Sequence, residues 1–552
     1  MNRALAISVL VAFFGACSSP ALVGSTRFRN QPTIWKVNDR RDVQKRPKRR
    51  ATPTMRASIE GLFFHRVTRA LKLPRPRRAR SINALGEVPD STWFENRIGT
   101  KELTPADISR GPNRGPGPRP PFVIEEDKLG GKSIGFIARD SVGTRYIIKF
   151  EKQGFPFFET STDIAVQRLL WAAGYHVPEN WVTIIGPGQL SISPSAVTRD
   201  GYGRTTLLPH DEVRRKLAGA HQLPGKRYRI LASKHVPGIN IGGWRQEGVR
   251  TDDPNDTIPH QHRRELRGLH MFMAWLQSTD VKEGNTVDAW VEDGDRPGKH
   301  FVMHYLVDFG KSLGVFVEVS QRPADGHARA FDFPTFFKGL VSFGLWKRPW
   351  EGTTRPGLPG VSTFDAEHFD PGGFEQQIPY TPFLIKDKYD MFWAAKILAR
   401  FSPAHIRAAV EAGFSDPQSV DYLTRVLEAR KRKLLAHWVP EVNAVDQFTV
   451  TSDGSSLKLC MVDQVQALAI DTRSVELRLR AFDKAGRALP FDQRTTTSRT
   501  GTACATSIPT GPSARGYTIL RIDNHRDGRD HRPVEVHVAR GPSHVRVLGV
   551  VR

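Results

Sequence analysis

Two short stretches of the sequence carry residue types that do chemistry. The first is Asp280-Val281-Lys282-Glu283-Gly284-Asn285, an Asp-x-Lys-x-x-Asn pattern. The second is His304-Tyr305-Leu306-Val307-Asp308-Phe309-Gly310, an apolar run that ends in Asp-Phe-Gly. Phosphoryl transfer needs these parts. A carboxylate orients the attacking hydroxyl, and a nearby cation offsets charge on the transferring group. An amide oxygen and a second carboxylate hold Mg²⁺. Mg²⁺ takes few protein oxygens and fills its shell with phosphate and water, so one Asn and one Asp from adjacent loops suit it. Read singly, Asp280 and Asn285 are also ordinary turn formers or helix caps, and Asp308 an ordinary turn residue before Gly310.

The surrounding text predicts the elements that hold these residues. A helical pattern over 261–277 leads into Asp280, and an apolar strand leads into Asp308. Strands are expected at Ser133–Ala138 and Arg145–Phe150, joined by the turn Asp140-Ser141-Val142-Gly143. Ile164, Val166, Leu169 and Leu170 predict a helix over Ser161–Ala173, closed by Gly174. Residues 228–236 read as a further strand, 388–438 as helical, and the Pro/Gly-punctuated 349–373 as a long surface loop. Thr251–Asp256 reads as a polar surface loop and His260-Gln261-His262 as an exposed helix start. Arg263, Arg264 and Arg267 read as a solvated helix face. From 446 onward short Val/Ile/Leu/Thr strands predict an all-β module, a sandwich.

At this point the chain resembles the protein-kinase-like superfamily, whose catalytic loop carries Asp, Lys two later and Asn five later, followed by Asp-Phe-Gly. Asp280, Lys282, Asn285 and Asp308-Phe309-Gly310 stand in those places in order. The resemblance spans about 121–440 and implies an α+β, two-lobed kinase-like domain that uses ATP and Mg²⁺. It implies that Asp280 orients the acceptor, Lys282 steadies the transferring group, and Asn285 and Asp308 bind Mg²⁺. It also implies a phosphate-anchoring lysine, which Lys149 in Tyr146-Ile147-Ile148-Lys149-Phe150 supplies, and an acid on the next helix to pair with it. Glu159 and Asp163 both qualify. Gly130-Gly131-Lys132-Ser133-Ile134-Gly135 stands where a glycine-rich cover over the phosphates belongs, without matching Gly-x-Gly-x-x-Gly. The strand 228–236, ending near His235-Val236-Pro237-Gly238, stands at the adenine-binding hinge. Ser278-Thr279 replace the usual His-Arg, no Ala-Pro-Glu follows, and Glu292–Gly298 reads as an inserted hairpin turn. In these respects the chain looks more like atypical kinases, of the bacterial HipA type or secreted.

Composition sets the setting. The 552 residues include Lys+Arg 81 against Asp+Glu 57, a net charge of +24. Such an excess suggests an anionic partner. Hydrophobic residues at 39% exclude a wholly disordered chain. A mean hydropathy of −0.41 excludes a polytopic membrane protein. Residues 1–16 read as a signal peptide, and Phe14-Gly15-Ala16-Cys17 resembles a bacterial lipobox, with Cys17 the lipidated residue. Residues 17–58 read as a basic flexible tether beside that anchor, 59–120 as an N-terminal extension, 121–445 as the kinase-like domain and 446–552 as the β domain. A polybasic tether adds roughly 1 kcal/mol per charge at an anionic surface. Cys460 and Cys504 remain as an even pair, suited to a disulfide in an oxidising compartment or to two buried thiols. The expected setting is the cell envelope, on the periplasmic face of the outer membrane, with nucleic acid an unlikely partner. The expected function is transfer of the ATP γ-phosphate to a hydroxyl acceptor. Alternatives are a catalytically inactive kinase fold and a structural envelope lipoprotein.

Overall fold

The computed structural model describes residues 27–50, 78–128, 133–199, 204–316, 323–329, 333–343, 345–348, 350–453 and 456–552. The signal segment, Cys17, the start of the expected N-terminal extension at 59–77 and Gly130-Gly131 lie outside them. The chain forms two compact units. One comprises 33–444 and 464–473; the other comprises 445–463 and 474–552 with the N-terminal residues through Pro32. Among the described residues no helix is long and apolar enough to cross a membrane.

The larger unit has one seven-stranded sheet: β1 (Phe122–Asp127), β2 (Gly135–Arg139), β3 (Arg145–Phe150), β4 (Asn180–Ile185), β5 (Leu190–Arg199), β6 (Thr205–Leu207) and β7 (Tyr228–Lys234). Their order is β4-β7-β3-β2-β1-β5-β6, antiparallel except where β1 runs parallel to β5. The β2–β3 turn forms because Asp140 Oδ1 accepts from Val142 N and Thr144 N, and Gly143 takes a φ of 88°. Alternate residues of the strands, Phe122, Ile124, Phe136, Ile148 and Ile230, make a first apolar core. Between β3 and β4 lies α1 (Glu159–Ala173), ended by Gly174 at φ 123°. Every residue of α1 except Trp171 is buried. Its polar positions are tied down: Gln167 Nε2 donates to Pro178 O at 2.5 Å and Arg168 Nε to Ser109 O at 2.7 Å.

A second, helical core of the same unit packs α2 (Arg264–Leu276), α3 (Lys388–Leu398), α4 (Pro403–Glu411) and α5 (Pro417–Trp438). Asp387, Ser402 and Asp416 cap the last three, and Pro stands in the first turn of α4 and α5. Trp93, Phe94, Ile98 and Ile108 belong to this core, so residues of the expected N-terminal extension are built into it. The expected surface loop 349–373 is exposed at Glu351, Gly352, Thr354, Glu367 and Asp370, but its middle is internal: Val361, Phe364 and Phe369 are buried. Pro and Gly mark irregular backbone, and irregular backbone here carries apolar side chains inward. A small sheet, β8 (Ile239–Asn240), β9 (Thr286–Glu292) and β10 (His300–Leu306), completes the unit.

Three further expectations are corrected by burial. Arg263, Arg264 and Arg267 are internal because their carboxylate partners are internal: Arg263 meets Asp256 at 2.9 Å, and Arg264 and Arg267 meet Asp390 at 3.1 and 3.3 Å. His260 is fully buried, against Asp256 at 2.7 Å, so the far end of the acidic loop, with Asp253 and Asp256, is buried while Thr251 and Asp252 stay exposed. Residues 33–50, expected in a free tether, run along this unit with backbone bonds from Val37 N to Asp90 O, Val43 N to His300 O and Arg50 N to Ile241 O.

The smaller unit is all-β, with two sheets. β11 (Val445–Ser452), β12 (Ser456–Asp463) and β15 (Thr502–Pro509) form one. β13 (Glu476–Phe482), β14 (Ala488–Thr496), β16 (Thr518–Arg526), β18 (Val534–Arg540) and β19 (Val545–Val551) form the other, with β17 (Arg529–Asp530) paired to β16. Leu477, Leu479 and Ala481 alternate inward on β13 and share one core with Leu457, Leu459 and Met461 of β12. Cys460 and Cys504 face each other across β12 and β15 and are joined by a disulfide.

Candidate functional site

Lys149 stands on β3 between Gly135 of β2 and Leu231 of β7. Its Nζ donates to Asp308 Oδ1 at 2.6 Å and lies 3.7 Å from Glu159 and 3.6 Å from Asp163. The sequence left Glu159 and Asp163 as alternatives; the structure brings both to Lys149, because positions i and i+4 share one face of α1. Burial opposes the lysine's charge, and Asp308, Asp163 and Glu159 outweigh it, so Lys149 is held above the ordinary lysine range. Burial likewise opposes the charge of Asp308, and Lys149, Lys128 and Lys282 hold its carboxyl well below the usual range. Asp163 goes the other way: burial pushes it up to about 6 against the pull of Lys149.

The Asp-Phe-Gly segment is fixed to α1. Phe309 N donates to Asp163 Oδ2 at 3.1 Å, and Asn180 Nδ2 holds the other oxygen at 2.7 Å. Asp308 adopts a left-handed φ of 65°, a conformation Asp tolerates. Gly310 is required by contact, since a Cβ there would lie 2.5 Å from Glu159 Cγ. Ser133 Oγ donates to Glu159 at 2.6 Å.

The Asp280–Asn285 loop follows α2, which ends at Gln277 in a left-handed turn with φ 46°. Lys282 Nζ reaches both Asp280 oxygens at 2.8 and 2.9 Å. Asn285 Nδ2 donates to Asp280 O at 2.8 Å and to its Oδ2 at 3.2 Å. Val307 N donates to Asn285 O at 3.0 Å, which ties this loop to the residue before Asp308. Ser278 and Thr279 are buried, and the neighbouring segment braces them: Gln376 Nε2 donates to Ser278 O, and Gln377 N to Thr279 O.

Sequence reasoning missed four members of the site. Lys311, directly after Gly310, pairs with Asp280 at 3.3 Å; its position beside the motif was the available signal. Lys128, at the end of β1, is mostly buried, and burial with Lys149 beside it lowers its pKa. Gln376 carries no local signal. Neither does Arg430 of α5, a fully buried guanidinium that donates to Ala274 O at 2.7 Å, Trp275 O at 3.0 Å and Asp365 O at 2.8 Å. Arg430 thereby satisfies the last carbonyls of α2, where a cation also suits the helix dipole. Its charge is disfavoured by burial, which takes it down to about 9.

The donor set fits a divalent ion of the Mg²⁺ kind. Among the described residues no group of three or more His, Cys, Asp or Glu is arranged for a metal. Asp308 Oδ2 and Asn285 Oδ1 are the oxygens not engaged by Lys149 or Asp280. Two protein oxygens are too few for a closed structural site and enough for Mg²⁺ that arrives with phosphates.

No protein-family model matches the chain, and no curated protein matches it. Solved structures of the Golgi casein kinase are among its matches. One, with Mn/ADP bound, is 10% identical at a TM-score of 0.26, over 60% of this chain and 72% of that one. Another is 10% identical at a TM-score of 0.22, over 61% of this chain and 75% of that one. So distant a likeness defines no family, and the geometry of the site stands on its own.

Proposed function

We propose that the larger unit is an atypical kinase-like phosphotransferase, which moves the γ-phosphate of ATP to a hydroxyl. The observation that carries this reading is the meeting of Lys149 and Asp308 at 2.6 Å across 159 positions, with the Asp280–Asn285 loop tied to Val307. A lysine among three carboxylates leaves an excess of negative charge that a divalent ion offsets, while the lysine itself offers a cation to phosphate. Lys149 holds the α/β-phosphates. Asn285 and Asp308 hold Mg²⁺, which neutralises charge on the phosphates when bound. Asp280 accepts a hydrogen bond from the attacking hydroxyl and aims it. Lys282 steadies the transferring group, and Lys311 shares Asp280 with it. Glu159 and Asp163 keep Lys149 charged and placed.

The signal segment, Cys17 and the Cys460–Cys504 disulfide support an envelope setting for this activity. The test is turnover. Purified protein is given ATP labelled on the γ-phosphate with Mg²⁺, and label transferred to protein or water is counted. Label release that falls at least a hundredfold in Asp280→Asn is expected; equal release by wild type and variant removes Asp280 from the mechanism.

A further inference from the structure

A second charged site lies elsewhere on the larger unit. A cleft of about 610 Å³ is lined by six cations, Lys45, Arg46, Lys48, Arg49, Arg50 and Arg245, and by one carboxylate, Asp252. That volume lies within the range of small-ligand sites. None of the residues assigned above to phosphotransfer lines it.

The walls are built, not loose. Arg50 N donates to Ile241 O at 3.0 Å. Arg250 NH2 donates to Lys48 O at 2.5 Å, and Lys48 N donates to Asp252 at 2.8 Å. Gly242 admits the basic segment, since a Cβ there would sit 2.4 Å from Arg50 O. Asp252 is already engaged by Arg250 at 3.1 Å. Arg50 is the telling residue. Its NH1 is buried with no hydrogen-bond partner. Burial first, then Arg250 and Arg245, disfavour its charge against the pull of Asp288 and Asp252. Lys45, Arg46, Lys48, Arg49 and Arg245 present exposed side chains around the cleft, and crowding like charges costs free energy that an anion would recover.

We propose that this cleft binds a compact, multiply phosphorylated ligand. Guanidinium groups match phosphate oxygens as two-pronged donors, and the excess of cations over the single acid calls for several negative charges. Concavity favours a small polyphosphate or a phosphate-bearing headgroup over an extended strand of nucleic acid. The basic segment 45–50 is then one wall of a site, and its contribution at a lipid surface, if the ligand is a headgroup, comes through this cleft.

The experiment is calorimetry on the full chain at low salt, with three probes. These are inositol hexakisphosphate, phosphatidylcholine vesicles containing cardiolipin, and duplex DNA. Saturable binding of the first, the second or both is expected. Binding of the soluble probe identifies a free ligand, and binding of vesicles alone identifies a headgroup. Arg50→Gln with Arg245→Gln weakens binding at least tenfold. Arg46→Gln with Arg49→Gln, both on exposed side chains, does so without threat to folding. Arg487→Gln with Arg494→Gln, an equal loss of two charges on exposed side chains of the β unit, leaves it unchanged. Asp308→Ala also leaves it unchanged, which separates this site from the nucleotide site. The proposal is overturned if folded wild type binds neither phosphate probe. It is equally overturned if the Arg487→Gln, Arg494→Gln control weakens binding as much as the cleft variants, or if DNA binds as tightly as the phosphate probes.

Discussion

Glu151 offers a sharp test of how the site helix is held. It is buried at 2% exposure beside the first turn of α1. Its carboxylate accepts from Glu159 N and Thr160 N, each at 3.2 Å, and from Thr160 Oγ1 at 2.5 Å. Arg229 NH1 stands 3.4 Å away. Burial raises the carboxyl from 4.5 to about 7, and the pull of Thr160 and Arg229 does not cancel it. The native state therefore holds a proton between pH 4.5 and 7 that the unfolded chain has released. Stability falls as pH rises through that window, and the loss is complete above pH 7. A displacement of that size is worth about 3 kcal/mol at 1.36 kcal/mol per pKa unit. Glu151→Gln keeps an acceptor for Thr160 and removes the titration. The variant should match wild type at pH 4 and exceed it by about 3 kcal/mol at pH 8. Urea unfolding followed by tryptophan fluorescence reads this directly, because all 11 tryptophans precede residue 445 and report the larger unit. Equal pH slopes for the two proteins would refute the reasoning.

Two further outcomes follow from the same geometry. Arg430→Met orphans three carbonyls, those of Ala274, Trp275 and Asp365. It should cost about 3 kcal/mol or more in the same urea assay, and a cost under about 1 kcal/mol would show that water replaces the guanidinium. Gly310→Ala drives a Cβ into Glu159. It should weaken ATP binding at least tenfold while the melting temperature stays within a few degrees, and unchanged affinity would show that Glu159 moves at no cost.

What the sequence revealed was local. Asp280, Asn285 and Asp308 sit in short motifs whose spacing is itself the signal, and β3 and α1 announce themselves by apolar periodicity. The burial of Arg264, Arg267 and His260 was not legible. A charged residue reads as solvated until its partner is known, and Asp390 stands 126 positions from Arg264. Arg430 is hidden for the same reason, since its acceptors are backbone carbonyls more than 150 positions away, apart from Asp365. The 349–373 segment misled differently: Pro and Gly report irregular backbone and say nothing of depth. In the basic segment 33–50, charge suggested solvent, while Val43 and the backbone bonds decide its place.

The central claim is a working Mg²⁺-nucleotide site at Lys149, Asn285 and Asp308. The most direct measurement is calorimetric titration of ATP into the protein with and without Mg²⁺, for wild type and Asp308→Ala. Saturable binding that needs Mg²⁺ and is lost in the variant is the predicted result. Folded wild type that binds no nucleotide, or a variant that binds ATP and Mg²⁺ as wild type does, would contradict the claim.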